Sequence, residues 1–189
     1  FESNTSKYWT LTTNESGYNA TVNYGCLEIW NHTFDLSQVL YGMPDGTYAL
    51  KAQAFYRNGS KENSANTNVY TMVYVCDSTT ATYPISRRAG TETSEGDWYA
   101  YTTGKNVPND LEAAAAAFNI LNRYKPSNTA SCAKAVYDAD ADGELVVGLK
   151  KVTAVYDDWT VVSGFQLQYY GGADLDAIVD VKTDVKYEG

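Results

Sequence analysis

The clearest order in the chain is an alternation of apolar and polar positions from Gly46 to Arg57. It puts Tyr48, Leu50, Ala52, Ala54 and Tyr56 on one face and Lys51, Gln53, Phe55 and Arg57 on the other. Successive side chains of an extended strand point to opposite sides, so this run predicts one long strand. A weaker alternation covers Phe34 to Leu40, and Met43-Pro44-Asp45-Gly46 lies between the two runs with the proline and glycine of a tight reversal. The two are therefore expected to pair as a β-hairpin. Runs rich in Val and Tyr at Val69–Cys76, Ala133–Tyr137, Glu144–Lys150 and Trp159–Tyr170 are separated by Asp, Gly and Asn and add further strands. Strands at this spacing, with few intervening helices, predict a mainly β fold built as a β-sandwich.

One helix interrupts the pattern. Pro108, Asn109 as N-cap and Glu112 three residues later form a capping box, and Leu111, Ala114, Ala115, Phe118 and Leu121 recur at helical spacing. This predicts one short α-helix near residues 110–122 that presses a single stripe on the sandwich. The segments Asn58–Asn68 and Ser86–Asn106 are rich in Gly, Ser, Thr, Asn and charge and are expected to be loops, the second carrying Trp98, Tyr99 and Tyr101. One module is expected over residues 1–172, with 173–189 as a linker or the start of a following module.

Composition narrows the chemistry. Fourteen Lys and Arg against 23 Asp and Glu leave a formal charge of −9, a field that repels phosphate backbones and anionic lipid heads. Nucleic acid is not expected as a partner, and no apolar run approaches the ~20 residues of a membrane-spanning helix, so no membrane insertion is expected. His32 is the single histidine, and Cys26, Cys76 and Cys132 are far apart, which removes the usual zinc and dithiol patterns. No serine elbow accompanies His32, and paired acids such as Asp157-Asp158 read as solvated loop residues, so no enzyme activity is expected. Asp138, Asp140, Asp142 and Gly143 open like a calcium loop, but Leu149 stands at the twelfth position where a bidentate glutamate belongs. An acidic turn is the simpler reading.

What stands out is the aromatic content, 17 Tyr and 4 Trp beside 5 Phe. Tyr and Trp pair an apolar face with a polar tip and suit half-wet surfaces. A sugar offers both a ring face to stack and hydroxyls for directional hydrogen bonds, so recognition of a neutral, hydroxyl-rich ligand fits these residues. The open end of the expected hairpin would bring Trp30 and Asn31 near Tyr56, Arg57 and Asn58 as a shared rim.

A family pattern is then visible. Trp9-Thr10 is followed by Glu28-Ile29-Trp30-Asn31 with Phe34-Asp35 and Gln38, by Pro44-Asp45-Gly46-Thr47-Tyr48, and by Ala54-Phe55-Tyr56-Arg57. Val107-Pro108-Asn109 precedes the alanine-rich helix with Phe118, and Gly148, Trp159, Phe165, Leu167 and Tyr169-Tyr170-Gly171 close the pattern. The chain resembles the galactose-binding-like β-sandwich modules of secreted or cell-surface bacterial proteins that handle polysaccharides. The resemblance implies a jelly-roll sandwich, an extracellular location, and service as a carbohydrate-binding module or accessory domain beside neighbouring modules of the same polypeptide. Related sequences often carry an acid and an amide just before the Phe165 position, where this chain has Ser163 and Gly164. A structural calcium, held with a glutamate such as Glu28, is accordingly not expected, nor is any other cofactor.

The expected site uses Trp98 and Tyr99 as stacking platforms and Asn31, Arg57 and Asp158 as hydroxyl partners, with Trp30, Tyr56 and Trp159 beside them. Each has a plainer role. Trp159 can plug the sandwich end, Arg57 can clasp Asp157 or Asp158, and Asn109 can simply cap the helix. The alternative from another class is a spacer or protein-interaction domain that binds no glycan.

Overall fold

The computed structural model describes residues 7–90, 95–119, 130–138, 143–172 and 174–175. Among them the strands form two main sheets and a separate hairpin. The first sheet runs in the order β1 (Thr10–Thr13), β4 (Phe34–Tyr41), β12 (Glu144–Lys151), β6 (Thr71–Val75) and β7 (Ser78–Ala81). The second runs β2 (Thr21–Asn23), β3 (Cys26–Trp30), β13 (Trp159–Tyr169), β5 (Gly46–Arg57) and β11 (Ala130–Tyr137), with β8 (Tyr83–Pro84) adding a parallel contact to β5. All other pairings are antiparallel. The fold is mainly β, as the alternation predicts.

The two sheets face each other across one core. Leu36, Val73, Leu145 and Leu149 enter it from the first sheet, and Leu27, Ile29, Leu50 and Val162 from the second. Tyr48, Leu50, Ala52 and Ala54 all point inward from β5, the face that period-2 reading selects. In β13 the alternation breaks once, because the register against β5 shifts between Val162 and Gly164. One extra residue at such a bulge lets Val162, Phe165 and Leu167 all turn to the same core.

A second apolar layer covers the outer face of the second sheet. The helix α1 (Leu111–Asn119) lays Leu111, Ala114, Ala115 and Phe118 on Phe55, Trp159 and Val161. Phe118 stacks on Phe55 at 5.6 Å between ring centres, and Trp159 meets Phe55 edge-on at 5.2 Å. Ala113 and Ala114 are fully buried, so the small side chains let the helix approach closely. Among the described residues no helix is long and apolar enough to cross a membrane.

Three expectations need correction. The runs over β4 and β5 do not pair with each other, because β4 joins β1 and β12 while β5 joins β11 and β13. The Pro44 reversal therefore carries the chain from one sheet to the other. The supposed loop Ser86–Asn106 contains β9 (Trp98–Thr102), which pairs with β10 (Lys105–Pro108) as a hairpin. The helix is capped by Asp110, whose Oδ1 accepts from the Ala113 N–H at 2.8 Å, and not by Asn109. The expected helix end near 122, the acidic positions Asp140 and Asp142, and the linker from residue 176 onward lie outside the described residues.

Candidate functional site

Strand pairing sets the site. Trp159, at the start of β13, lies opposite Trp30 of β3 on one side and Arg57 of β5 on the other. Directly opposed residues share a face of a sheet, so indole, indole and guanidinium begin in one row across three strands. They line a cavity of about 510 Å³ on the outer face of the second sheet, together with Glu28, Tyr18 and Asn109. Trp30 is 49% exposed, whereas Trp159 is 3% exposed and forms part of the wall.

The polar groups here are held in place. Trp159 donates its Nε1–H to Glu28 Oε2 at 2.7 Å, which orients the carboxylate. The second Glu28 oxygen has no hydrogen-bond partner among the described residues. Arg57 lies 5.2 Å from the centre of the Trp159 ring and donates from Nε to the Gly59 carbonyl at 3.0 Å. One of its terminal nitrogens reaches Asn109 Oδ1 at 3.5 Å. Burial pulls the Arg57 guanidinium below its ordinary range, and the nearby carboxylates of Asp157 and Glu62 oppose that pull. Tyr18 accepts a hydrogen bond from the Trp30 backbone at 3.2 Å, and its ring packs 4.1 Å from that of His32.

The opposite wall is the start of α1. Asn109 donates through Nδ2 to Asp97 Oδ2 at 2.5 Å, and the Asp97 N–H donates to Asp110 Oδ2 at 2.9 Å. These bonds tie the approach to β9 to the helix cap. Gly96 sits between them at φ +72°, where a Cβ would collide with the Ala113 backbone. With its amide used in this way, Asn109 presents a fixed polar edge to the cavity.

The residues expected at the site divide into three groups. Trp30, Arg57 and Trp159 come together at the cavity. Asp158 and Tyr56 do not, since both are 0% exposed, and this corrects their assignment as surface ligand contacts. Tyr56 donates to Asp158 Oδ2 at 2.7 Å, and buried Lys151 pairs with the same oxygen, so the three form a polar cluster between the sheets. A carboxylate so enclosed cannot meet a ligand outside, and Asp158 pairs with Lys151 rather than Arg57.

Asn31 holds a turn. Its N–H donates to the Asp158 carbonyl at 2.9 Å, its Oδ1 accepts from the Asp157 N–H at 2.9 Å, and it lies at φ +61°. Asparagine tolerates that left-handed conformation well. Trp98 and Tyr99 are outside the cavity lining. Trp98 donates to the Glu95 carbonyl at 2.8 Å, while Tyr99 packs against the outer apolar layer with Lys61 Nζ 5.3 Å from its ring centre. The two-ring platform expected in a bare loop is instead a strand partly committed to packing.

Tyr18, Asn19, Thr21 and Asp110 also line the cavity, though the sequence pattern does not mark them as ligand contacts, and so does Glu28, which the sequence suggests only as a calcium ligand. Glu28 was legible, because it is two residues from Trp30 on a strand and so shares its face. Tyr18 and Asn19 carry no periodic signal. A second cavity of about 410 Å³, lined by Trp9, Leu40, Leu50, Val147, Phe165 and others, has no charged lining side chain. It is chemically poorer for hydroxyl recognition. Among the described residues no three His, Cys, Asp or Glu side chains gather as a metal site. No protein-family model matches the chain, and comparison with curated proteins returns no match.

Proposed function

We propose that this chain is a non-catalytic carbohydrate-binding module, a jelly-roll of the galactose-binding-like kind, serving a secreted or cell-surface protein beside other modules. The observation that carries the reading is the exposed Trp30 at the mouth of a cavity furnished with an oriented carboxylate, a guanidinium and an amide. An indole face takes the apolar side of a pyranose, and fixed donors and acceptors take its hydroxyls. Most of these polar groups are already hydrogen-bonded, so little side-chain ordering remains to oppose binding.

Affinity is expected near −5 to −7 kcal/mol, about 10 to 200 µM, because one stacked ring and a few half-wet hydrogen bonds supply no more. Attachment to neighbouring modules raises the effective concentration at a polymer. A glycan array followed by calorimetry tests the reading with the Trp30→Ala and Arg57→Ala variants. Binding by the unmodified protein that weakens about tenfold in Trp30→Ala at nearly unchanged melting temperature, and weakens also in Arg57→Ala, is the expected result. No binding to any glycan overturns the proposal in favour of a spacer domain.

A further inference from the structure

The cavity differs from a general sugar platform in the charges that meet there. Its lining carries two carboxylates, Glu28 and Asp110, against one guanidinium, Arg57. Both Asp110 oxygens are taken by backbone N–H groups, whereas Glu28 has one oxygen tied to Trp159 and one with no partner among the described residues. Glu28 is therefore the oriented acceptor, and Arg57 the donor, of a pair placed on either side of Trp159.

Sheet spacing gives the scale. Glu28 and Trp30 alternate on β3, which sets them about 7 Å apart along the strand, and Arg57 stands two strands from Trp30, about 10 Å across the sheet. One pyranose lying against Trp30 thus has an acceptor and a donor within reach of its edge. A hydroxyl can donate to the carboxylate and accept from the guanidinium, and neighbouring hydroxyls that do both polarise one another favourably. A sugar carboxylate can only accept. Beside Glu28 it would meet a like charge at close range, in the field of a protein with formal charge −9.

Resting on the reading of this cavity as a glycan site, we infer that it selects a neutral pyranose with adjacent free hydroxyls, held between Glu28 and Arg57, and rejects a uronic acid in that position. The stacking surface supplies tolerance for different neutral rings, and the Glu28 carboxylate supplies the discrimination by charge.

The test is calorimetry on the whole chain with neutral gluco-, xylo- and manno-oligosaccharides and with oligogalacturonate, at one ionic strength. At least one neutral series is expected to bind, and oligogalacturonate to bind more weakly by about 30-fold at the least. Glu28→Gln keeps an acceptor for the Trp159 N–H but removes the charge. It is expected to lower neutral affinity about 10-fold and to narrow the gap to oligogalacturonate, an effect that a purely structural role would not produce. Oligogalacturonate binding as tightly as any neutral sugar overturns the inference while leaving a glycan site in place. Equal loss of both ligands in Glu28→Gln, or no change in either, removes the discriminating role of Glu28. Absence of binding to every glycan removes the glycan reading itself. The comparison of neutral and charged sugars on the unmodified protein needs no variant to fold.

Discussion

Tyr56 and Arg57 are consecutive on β5, and Asp158 and Trp159 are consecutive at the start of β13. One member of each pair is sealed between the sheets and the other lines an outer cavity. The inner pair belongs to a cluster in which Lys151 and Tyr56 share one oxygen of Asp158, with Thr71 and Thr160 joined at 2.9 Å nearby. The outer pair, itself largely buried, forms cavity wall beside the exposed Trp30. Polar chemistry is present on both sides, but only the outer side combines it with an accessible aromatic face. A polar residue type thus says little about function until its face of the sheet is known, since a one-residue step reverses it.

Variants at the two sides are expected to separate stability from binding. Asp158→Ala leaves the Lys151 ammonium buried without its partner and Tyr56 without its acceptor, a change that costs about 3–5 kcal/mol. Urea denaturation will show this as a lower midpoint with little change in slope; a midpoint within experimental error of the unmodified protein would contradict the description of the cluster. Trp30→Ala acts on the other side. It is expected to reduce glycan affinity by about 1–2 kcal/mol, roughly tenfold, and to change stability by about 0.5 kcal/mol or less, because the ring is half exposed.

The inner side also predicts a response to alkali. Burial, the Asp158 hydrogen bond and its charge hold the Tyr56 hydroxyl above its ordinary range, and burial first, then Asp35, does the same for Tyr74. The folded state keeps these protons where the unfolded chain releases them, near pH 10, so their contribution is complete below about pH 10 and declines as pH rises further. Lys151 acts in the opposite sense, since burial lowers its range and Asp158 opposes that effect. A Tyr56→Phe variant is therefore expected to lose stability less steeply above about pH 10 than the unmodified protein, as followed by denaturation at several pH values. An identical or steeper loss would contradict the assignment. The smallest effect concerns Trp98→Ala, expected to leave glycan affinity unchanged, because Trp98 is not part of the cavity. A loss comparable with that of Trp30→Ala would return the site to the β9–β10 hairpin.

Much of this was legible from the chain, but for uneven reasons. The bounds of β5 follow from its alternation, and Trp30, Arg57 and Trp159 meet as candidate site residues. Their meeting arises from β13 inserting between β3 and β5, not from a hairpin of β4 with β5. Local turn residues at Pro44 and Gly46 report that the chain reverses. They do not report whether it returns to the same sheet or crosses to the other. Asp158 reads from sequence as a surface residue because a carboxylate is usually solvated, and only the arrival of Lys151 from β12 gives it a reason to be buried. Trp98 and Tyr99 read as loop residues from sequence because the polar composition around them masks a short strand pair whose partners, Pro108 and Val107, lie across a turn.

As a proposed glycan site, the outer cavity should meet a sugar while the other aromatic surfaces do not. The chain has four tryptophans, Trp9, Trp30, Trp98 and Trp159, and each carries one indole N–H to follow by resonance. Titrating a neutral oligosaccharide that binds in the array into isotopically labelled protein reads all four at once. Progressive shifts of Trp30 and Trp159 with Trp9 and Trp98 unmoved are expected; shifts confined to Trp98 or Trp9 would contradict the proposed site.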